Sequence, residues 1–439
     1  MGMLLPPFDH HLLLVGTNPL PPYVSAKYFL HNSSQITLLH TGTTGSFSHN
    51  IRNLLGADTK EENSNQKLDI REVEIDVSNP YEIKKSVYQI IKKIPPNAVV
   101  SFNYTGGTKP MAVACYELIR SYFPNAYFSY LDARQFALIL EQNDLVDSII
   151  IPFNKAPLKF TDLLALHGYH IDISTDHTIP KCVETCAALA SQIDRDADAW
   201  RFWCDRNLRR MKYLPQGWKE KFQGMFPDQD LLNDNVCEKV EEFLRWVGSD
   251  SLETRGQLKK VEIHDFPEVF ENLRRNQNMV VLEDFCDQTL FSGFEKFGKF
   301  LDGEWLEHYT LSCLLASKSK SGIHECFMDI VSESPNPHQF QLDVIAMKGY
   351  QLFVISCTTS TDLGLNKSKL FEAYIRSKQI GGEEARFAVV SAYSATEKLE
   401  RELREAWQSD NSIRVFGAKD LPGLADRLAD WINIESLYT

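Results

Sequence analysis

Several features that would assign this 439-residue chain to a specialised class of protein are missing from its sequence. No apolar run reaches the ~18 residues that a membrane-spanning helix requires, so no membrane partner is expected. The nine cysteines include no Cys-x-x-Cys pair, and the closest two are Cys182 and Cys186. We therefore expect buried thiols in a reducing cytoplasm rather than a zinc site.

The chain also has no excess of basic residues: it contains 46 lysines and arginines and 59 aspartates and glutamates, which gives a net charge of −13. This balance argues against nonspecific binding of nucleic acid by the whole surface, although it leaves room for a local basic groove. The proportions of apolar residues (43%) and charged residues (24%) are ordinary for a globular protein. The length allows two or three domains.

A glycine-rich segment, Asn103–Pro110, stands between an apolar, β-prone run and a run with apolar side chains at helical spacing. Gly106 and Gly107 allow positive φ angles and let a ligand approach the backbone closely. The segment also contains two hydroxyl groups and a cation: Thr105, Thr108 and Lys109. Because free N–H groups at a helix start favour an anion, the pattern predicts a phosphate-binding loop. The alternative is a glycine-rich connection without a ligand.

Residues 1–155 are predicted to form one α/β domain. Short apolar strands alternate with helices, which indicates a parallel sheet covered on both faces. Polar loops follow three of the strands and should meet at the carboxyl edge of the sheet, where such folds bind ligands. These loops are Thr17-Asn18, Thr41-Gly42-Thr43 and Asn103 to Lys109.

At these loops the chain resembles the CARF domain, the sensor of type III CRISPR ancillary proteins. The resemblance rests on Val15-Gly16-Thr17-Asn18-Pro19 and Tyr104-Thr105-Gly106-Gly107-Thr108-Lys109, and it covers roughly residues 9–155. It implies a Rossmann-like homodimer that binds cyclic oligoadenylate, with cyclic tetra-adenylate favoured, across its two-fold axis. Thr17 and Asn18 would then contact adenosine or ribose groups, and Thr105 to Lys109 would hold phosphates. The expected ligand-binding set is completed by Tyr104, Thr41 and Thr43.

The middle of the chain, about residues 156–285, is predicted to be a mainly helical connector that supports a dimer. Helical periodicity appears at Cys182–Ile193, Trp200–Met211 and Asn235–Val247. The second of these helices carries arginines interleaved with aromatic residues, a pattern that permits a nucleic-acid contact. The alternative, a solvated helix face, is favoured by the aspartates close by.

Residues 286–439 are predicted to be a second α/β domain. Glu307 lies on a predicted helix, and Asp343 lies on a strand that passes through a Lys348-Gly349-Tyr350 turn into a second strand. This is the frame of the PD-(D/E)xK nucleases.

The same region resembles the CRISPR-associated fusions of a CARF domain with a nuclease, over about residues 295–395. The motifs that carry this resemblance are Trp305-Leu306-Glu307-His308-Tyr309, Leu342-Asp343-Val344 and Leu352-Phe353-Val354-Ile355-Ser356-Cys357. Such an enzyme needs carboxylates around Mg²⁺ or Mn²⁺, which activates water and neutralises charge on the phosphodiester. Asp343 is the best metal-ligand candidate and Glu307 the second.

The sequence departs from the family where the second strand should end in Glu-x-Lys, because it has Ser356-Cys357-Thr358 instead. One metal ligand and the lysine that stabilises developing charge are therefore missing from their usual places. A helix packed beside the strands can return a lysine to this position. Lys369 is the preferred substitute and Lys367 the second, while Asp362 is a candidate for the missing carboxylate.

Two classes of function follow from these patterns. The first is a cyclic-oligoadenylate-activated, metal-dependent endonuclease of antiviral defence that cleaves DNA, RNA or both. Its ligand would rotate the two nuclease domains of a dimer into an active arrangement. The second is a catalytically inactive sensor whose nuclease-like domain binds nucleic acid or a partner. A third, weaker option is slow cleavage of the cyclic ligand by the sensor pocket itself.

Overall fold

The computed structural model describes residues 7–30, 35–61, 68–133, 135–142, 149–152, 157–171, 173–203, 299–332, 340–407 and 413–434. Within these ranges the chain forms two β-sheets, one of seven strands and one of five, each covered by helices on both faces. None of the described helices is long and apolar enough to cross a membrane. The helix predicted at Asn235–Val247 and most of the basic segment at Trp200–Met211 lie outside the described residues.

The seven-stranded sheet has the strand order β3-β2-β1-β4-β5-β6-β7. Its strands are β1 His10–Leu14, β2 Gln35–His40, β3 Asp69–Glu74, β4 Val100–Asn103, β5 Tyr127–Asp132, β6 Ala137–Gln142 and β7 Ile149–Pro152. The first five strands pair in parallel, as predicted. Strands β6 and β7 extend the sheet in antiparallel orientation, which corrects the all-parallel expectation. The physical reason is that a short turn, too short for a crossover helix, joins β5 to β6.

Strand β1 lies between β2 and β4, so the chain changes the direction in which it adds strands after β3. Such a switch point opens a crevice at the carboxyl ends of two neighbouring strands, here β1 and β4. The loops that follow these strands are the Thr17-Asn18 loop and the glycine loop at Asn103–Pro110. Two of the three predicted ligand loops therefore flank the crevice.

Helices cover both faces of this sheet because successive side chains of each strand point to opposite faces. The helices are α1 Leu20–Tyr28, α2 Gly45–Glu61, α3 Pro80–Ile91 and α4 Lys109–Tyr122. On β1, Leu13 belongs to the core that contains Tyr23 of α1, whereas Leu12 belongs to the core that contains Ile83 of α3.

The five-stranded sheet has the order β12-β11-β10-β9-β8. Its strands are β8 Glu325–Val331, β9 Gln341–Lys348, β10 Gln351–Thr358, β11 Arg386–Ser391 and β12 Ile413–Phe416. The first three pair antiparallel, β11 pairs in parallel with β10, and β12 pairs in parallel with β11. The predicted hairpin between β9 and β10 is confirmed, with Gly349 at a φ of 60° in its turn.

The remaining helices are α5 Phe160–Leu166, α6 Val183–Trp203, α7 Trp305–Ala316, α8 Lys318–Ser321, α9 Leu363–Gly381, α10 Thr396–Trp407 and α11 Leu424–Asn433. Helix α7 packs on one face of the second sheet and α9 on the other. Helix α9 starts earlier than the predicted Lys367, because Asp362 Oδ1 accepts a hydrogen bond from Leu365 N at 2.8 Å and caps it.

The two sheets share one hydrophobic core, which contains Leu13 and Ile36 of the first sheet and Leu342 and Leu352 of the second. The segment before α5 fastens them together, since Leu158 N donates to the carbonyl oxygen of Gly349 at 2.9 Å. The two sheets are therefore joined through a shared core and the segment before α5. The domain boundaries near residues 155 and 285 stay predictions.

Candidate functional sites

The loops after β1 and β4 contact each other through their backbones. A Cβ atom on Gly106 would lie 2.1 Å from the carbonyl oxygen of Leu14, and one on Gly16 would lie 2.7 Å from the amide nitrogen of Gly107. Gly107 also has a φ of 73°, which disfavours an L side chain. Loop-to-loop packing alone thus requires these glycines, whether or not a ligand binds.

The two threonines of the glycine loop already have partners within the protein. Thr105 Oγ1 accepts a hydrogen bond from Leu131 N at 2.7 Å, which ties the loop to β5. Thr108 Oγ1 caps the first turn of α4 and donates to the carbonyl oxygen of Val77 at 2.7 Å. Lys109, by contrast, is exposed at the helix start, where an anion is favoured. The phosphate-binding role of the loop stays a prediction.

Tyr104, at the end of β4, belongs to an aromatic cluster beside this loop. Its ring centroid lies 5.7 Å from that of Tyr116 and 5.6 Å from that of Tyr130. Burial raises the pKa of the Tyr104 hydroxyl, so the group stays neutral at physiological pH. The cluster offers aromatic surface next to the predicted phosphate loop.

The third predicted ligand loop, which precedes α2, is held by its own hydroxyl groups. Thr44 Oγ1 accepts a hydrogen bond from Thr41 N at 3.0 Å and donates to the carbonyl oxygen of Val15 at 3.2 Å. Thr41 is buried, and its Oγ1 lies 3.0 Å from that of the exposed Thr43. The hydroxyl of Thr41 is thus engaged in loop structure, and Thr43 is the more accessible of the two predicted ligand residues.

Asn18, in the loop after β1, contacts the residue that follows α9. Its Oδ1 accepts a hydrogen bond from Leu20 N at 3.0 Å, and its Nδ2 lies against Gly382, just after α9. The neighbouring Thr17 is exposed. Asn18 therefore connects the predicted ligand loop to the part of the chain that carries the second site, a relationship that the sequence did not indicate.

That second site is organised around Asp343. This residue lies on β9 opposite Ser356 of β10, next to the paired residues Val344 and Ile355. Its Oδ2 accepts hydrogen bonds from Ser356 Oγ at 2.7 Å and from Cys357 N at 2.8 Å. The residues that replace Glu-x-Lys thus hold the carboxylate in place.

Lys369 restores a cation to this site. On α9 its Nζ lies 3.6 Å from Asp343 Oδ2. Lys367, the other predicted candidate, forms an ion pair with Glu402 of α10 at 3.0 Å and is not brought to Asp343. Asp362 likewise serves the helix cap. Of the two lysines, Lys369 has the geometry that catalysis would need.

Glu307 approaches the site from the opposite face of the sheet, on the first turn of α7. Burial and the nearby negative charge of Asp343 raise its pKa to about 9, with a smaller effect of Asp329. Burial and these neighbouring charges therefore favour the protonated form of the carboxyl group. A raised pKa caused by burial beside a like charge is typical of carboxyl groups at functional sites.

A shallow pocket beside Asp343 contains two charged residues, Glu372 and Arg376, that are not among the predicted site residues. It is lined by Gln341, Asp343, Ser356, Lys369, Glu372 and Arg376, together with apolar side chains of β9, β10 and α9. Glu372 and Arg376 follow Lys369 by about one and two helical turns. This spacing is the sequence signal that places the three side chains on one face of α9. The spacing does not show which face of α9 packs against the sheet, because that depends on tertiary packing.

Within the described residues, no group of three or more histidine, cysteine, aspartate or glutamate side chains is arranged as a metal site. Glu307 and Asp343 provide two carboxylates, and Ser356 adds a hydroxyl. Mg²⁺ commonly keeps several waters and uses only one or two protein carboxylates. This all-oxygen set therefore fits Mg²⁺ or Mn²⁺ and does not suit zinc, which prefers sulfur and nitrogen ligands.

Two family models match the chain. Residues 12–151 match the Card1 CARF domain, and residues 295–435 match the Card1-like endonuclease domain. Comparison with curated proteins gave no match. The two matches confirm the resemblances that the loop motifs and the nuclease motifs carried.

Two solved structures have a similar fold over nearly the whole chain. Can2 from Sulfobacillus thermosulfidooxidans, in complex with cyclic tetra-adenylate, is 17% identical with a TM-score of 0.61, over 97% of this chain and 99% of Can2. Protein VC1899 from Vibrio cholerae is 15% identical with a TM-score of 0.62, over 97% of this chain and 98% of VC1899. At these identities the similarity shows a shared fold.

Proposed function

The chain combines a Card1 CARF domain with a Card1-like endonuclease domain, and from this premise we propose that it is a cyclic-oligoadenylate-activated, metal-dependent nuclease of type III CRISPR defence. One observation carries the proposal. Lys369 Nζ lies 3.6 Å from Asp343 Oδ2, which supports a role for Lys369 as the lysine of the site although Glu-x-Lys is absent. DNA, RNA or both are the proposed substrates.

The residues of the second site have distinct roles in this proposal. Asp343 and Glu307 would hold Mg²⁺ or Mn²⁺, which when bound activates water and neutralises charge on the phosphodiester. Ser356 Oγ and Cys357 N orient Asp343 by donating to its Oδ2. Lys369 stabilises the negative charge that develops on the phosphate during cleavage.

The activator is proposed to bind at the crevice between β1 and β4. Lys109 and the N–H groups at the start of α4 would contact phosphates, and Thr17 and Tyr104 would contact nucleosides. The ligand reported for Can2, which has a similar fold, favours cyclic tetra-adenylate over other ring sizes.

A homodimer is proposed because three apolar side chains, just before α3, at the start of α3 and on α4, are exposed. Val77 is 49% exposed, Tyr81 71% and Val113 57%. Val77 lies beside the loop, since its carbonyl oxygen accepts the Thr108 hydroxyl. Such a patch suits a second copy of the chain, and a pocket shared by two copies suits a cyclic ligand. Ligand binding would then shift the population of dimers toward the cleavage-competent arrangement.

The test incubates the purified protein with cyclic tri-, tetra- or hexa-adenylate, Mg²⁺ or Mn²⁺, and labelled DNA and RNA. We expect cleavage with cyclic tetra-adenylate and a loss of at least about a hundredfold in Asp343→Asn. Asp430→Asn, on the exposed face of α11, is the matched control and should cleave like the wild type. Cleavage that survives Asp343→Asn would contradict the site.

The second candidate function is an inactive, ligand-gated sensor that binds nucleic acid or a partner. It is favoured by Ser356-Cys357-Thr358 in place of Glu-x-Lys. In the same experiment, gel shifts that respond to ligand without any turnover would support it over the nuclease. Chromatography of the ligand after long incubation shows whether the sensor pocket opens the ring.

A further inference from the structure

The metal site described above has one carboxylate fewer than the family pattern requires, because Ser356 stands where a glutamate is expected. Asp362, the substitute that the sequence suggested, caps α9 instead. Asp329 of the neighbouring β8 is turned toward Gln341, whose Nε2 donates to its Oδ1 at 2.9 Å. The substitute carboxylate is therefore to be sought on another element.

Glu372 lies in the pocket that also contains Asp343, Ser356 and Lys369. It stands about one turn after Lys369 on α9, and side chains so spaced are neighbours on one helix face. That face is directed at β9 and β10, because Lys369 Nζ comes within 3.6 Å of Asp343 Oδ2. Glu372 is exposed, and its long side chain lines the same pocket as Asp343.

The charges of the pocket are balanced in a way that accommodates this second carboxylate. Lys369 precedes Glu372 on the helix face, and Arg376 follows it. Arg376 is held in position, with its guanidinium 5.4 Å from the Phe340 ring centroid and its Nη1 donating to Gln379 Oε1 at 3.0 Å. The pocket is thus lined by two cations and two carboxylates, whose formal charges balance.

We propose that Glu372 supplies the third carboxylate of the metal site, in place of the glutamate that Ser356 replaces. Glu372 would bind the cation directly or through one water, as carboxylates do in magnesium sites. The inference rests on the proposed nuclease function and extends it to a helix residue outside the Glu-x-Lys position.

The experiment measures Mn²⁺ binding to the full-length protein by electron paramagnetic resonance of the free ion, independently of cleavage. Glu372→Gln should lower the affinity by about ten- to a hundredfold, and Glu372→Asp should restore part of it. Glu397→Gln, an exposed glutamate of α10, is the matched control and should bind Mn²⁺ like the wild type. In cleavage assays, Glu372→Gln should need correspondingly more Mn²⁺ for half-maximal activity.

The outcomes separate this inference from the proposed function. Equal Mn²⁺ affinity in the wild type and Glu372→Gln overturns the role of Glu372, even if the wild type cleaves. A wild type that cleaves nothing overturns the proposed function, and the Mn²⁺ titration then still decides the inference: a loss in Glu372→Gln supports it. A wild type that binds no Mn²⁺ overturns both. Unchanged binding of cyclic tetra-adenylate by the variants shows that they are folded.

Discussion

The side-chain amide of Asn18 lies directly against Gly382, so the loop after β1 touches the end of the helix that carries Lys369. A Cβ atom on Gly382 would lie 2.1 Å from Asn18 Nδ2 and 2.9 Å from Glu384 Oε2. The φ of 67° at Gly382 is a further reason for glycine. Since α9 is a continuous helix from Leu363 to Gly381, displacement of Asn18 by a ligand would act on the helix that positions Lys369.

Gly382→Ala should therefore uncouple ligand binding from cleavage. The new methyl group must displace the Asn18 amide, so we expect cyclic tetra-adenylate to bind within a few-fold of the wild type while its activation of cleavage falls about tenfold. Calorimetry measures the binding, and cleavage rates with and without ligand measure the activation.

Gly56→Ala is the matched control for this substitution, because a Cβ at Gly56 of α2 would meet nothing within 4 Å. Asn18→Ala is a second test that avoids the positive φ of Gly382, and it should reduce activation in the same direction. Full activation in both Gly382→Ala and Asn18→Ala would contradict the coupling.

Lys369→Ala should abolish cleavage while Lys367→Ala should leave it nearly unchanged. Lys369 approaches Asp343, whereas Lys367 is paired with Glu402 at the surface. We expect a loss of about a hundred- to a thousandfold in single-turnover rate for Lys369→Ala, the size typical of removing one group that stabilises charge in the transition state. A larger loss in Lys367→Ala than in Lys369→Ala would reverse the assignment.

The alternation of strands and helices in the sequence predicted both α/β sheets, and it placed the glycine loop and Asp343 on the correct elements. Local periodicity carries this information because each buried position of a helix or strand requires an apolar side chain. The resemblance to the nucleases, together with the absence of Glu-x-Lys, predicted that a lysine of α9 would approach the strands, and Lys369 lies 3.6 Å from Asp343.

The sequence did not predict which residues surround the side chains of Asn18, Thr41 and Glu372. Asn18 contacts Gly382 through the packing of one sheet's loop on the other sheet, and no local pattern records such a contact. The Thr41 hydroxyl lies within hydrogen-bond distance of the Thr43 and Thr44 hydroxyls, a contact inside one turn that hydrophobic periodicity does not record. The sequence around Glu372 is that of an ordinary surface glutamate, and only the orientation of α9 about its axis places it in the pocket beside Asp343.

Glu384→Gln should change how stability depends on pH. Glu384 is 3% exposed, and burial raises its pKa from the ordinary 4.5 to about 7. The folded state thus binds this proton more tightly than the unfolded state, so its contribution to stability is complete below pH 4.5 and is lost as the pH rises to about 7. The wild type should lose about 3 kcal/mol relative to Glu384→Gln over this interval.

Urea unfolding of both proteins at about pH 5 and about pH 8 measures this difference. Glu397→Gln, at an exposed position of α10, should follow the wild type at both values. Parallel changes in the free energy of unfolding for the wild type and Glu384→Gln would contradict the raised pKa.

Lys109→Ala should weaken binding of cyclic tetra-adenylate by about tenfold at low salt, and less at high salt, because an exposed lysine contributes mainly by screened attraction to phosphate. Calorimetric titrations at two salt concentrations measure the effect. Lys93→Ala, also exposed but after α3, is the matched control and should bind like the wild type.

Gly106→Ala should remove binding of cyclic tetra-adenylate altogether, since its Cβ would lie 2.1 Å from the carbonyl oxygen of Leu14 and force the two loops apart. If Lys109→Ala and Gly106→Ala both bind the ligand like the wild type, the ligand does not bind in the crevice between β1 and β4.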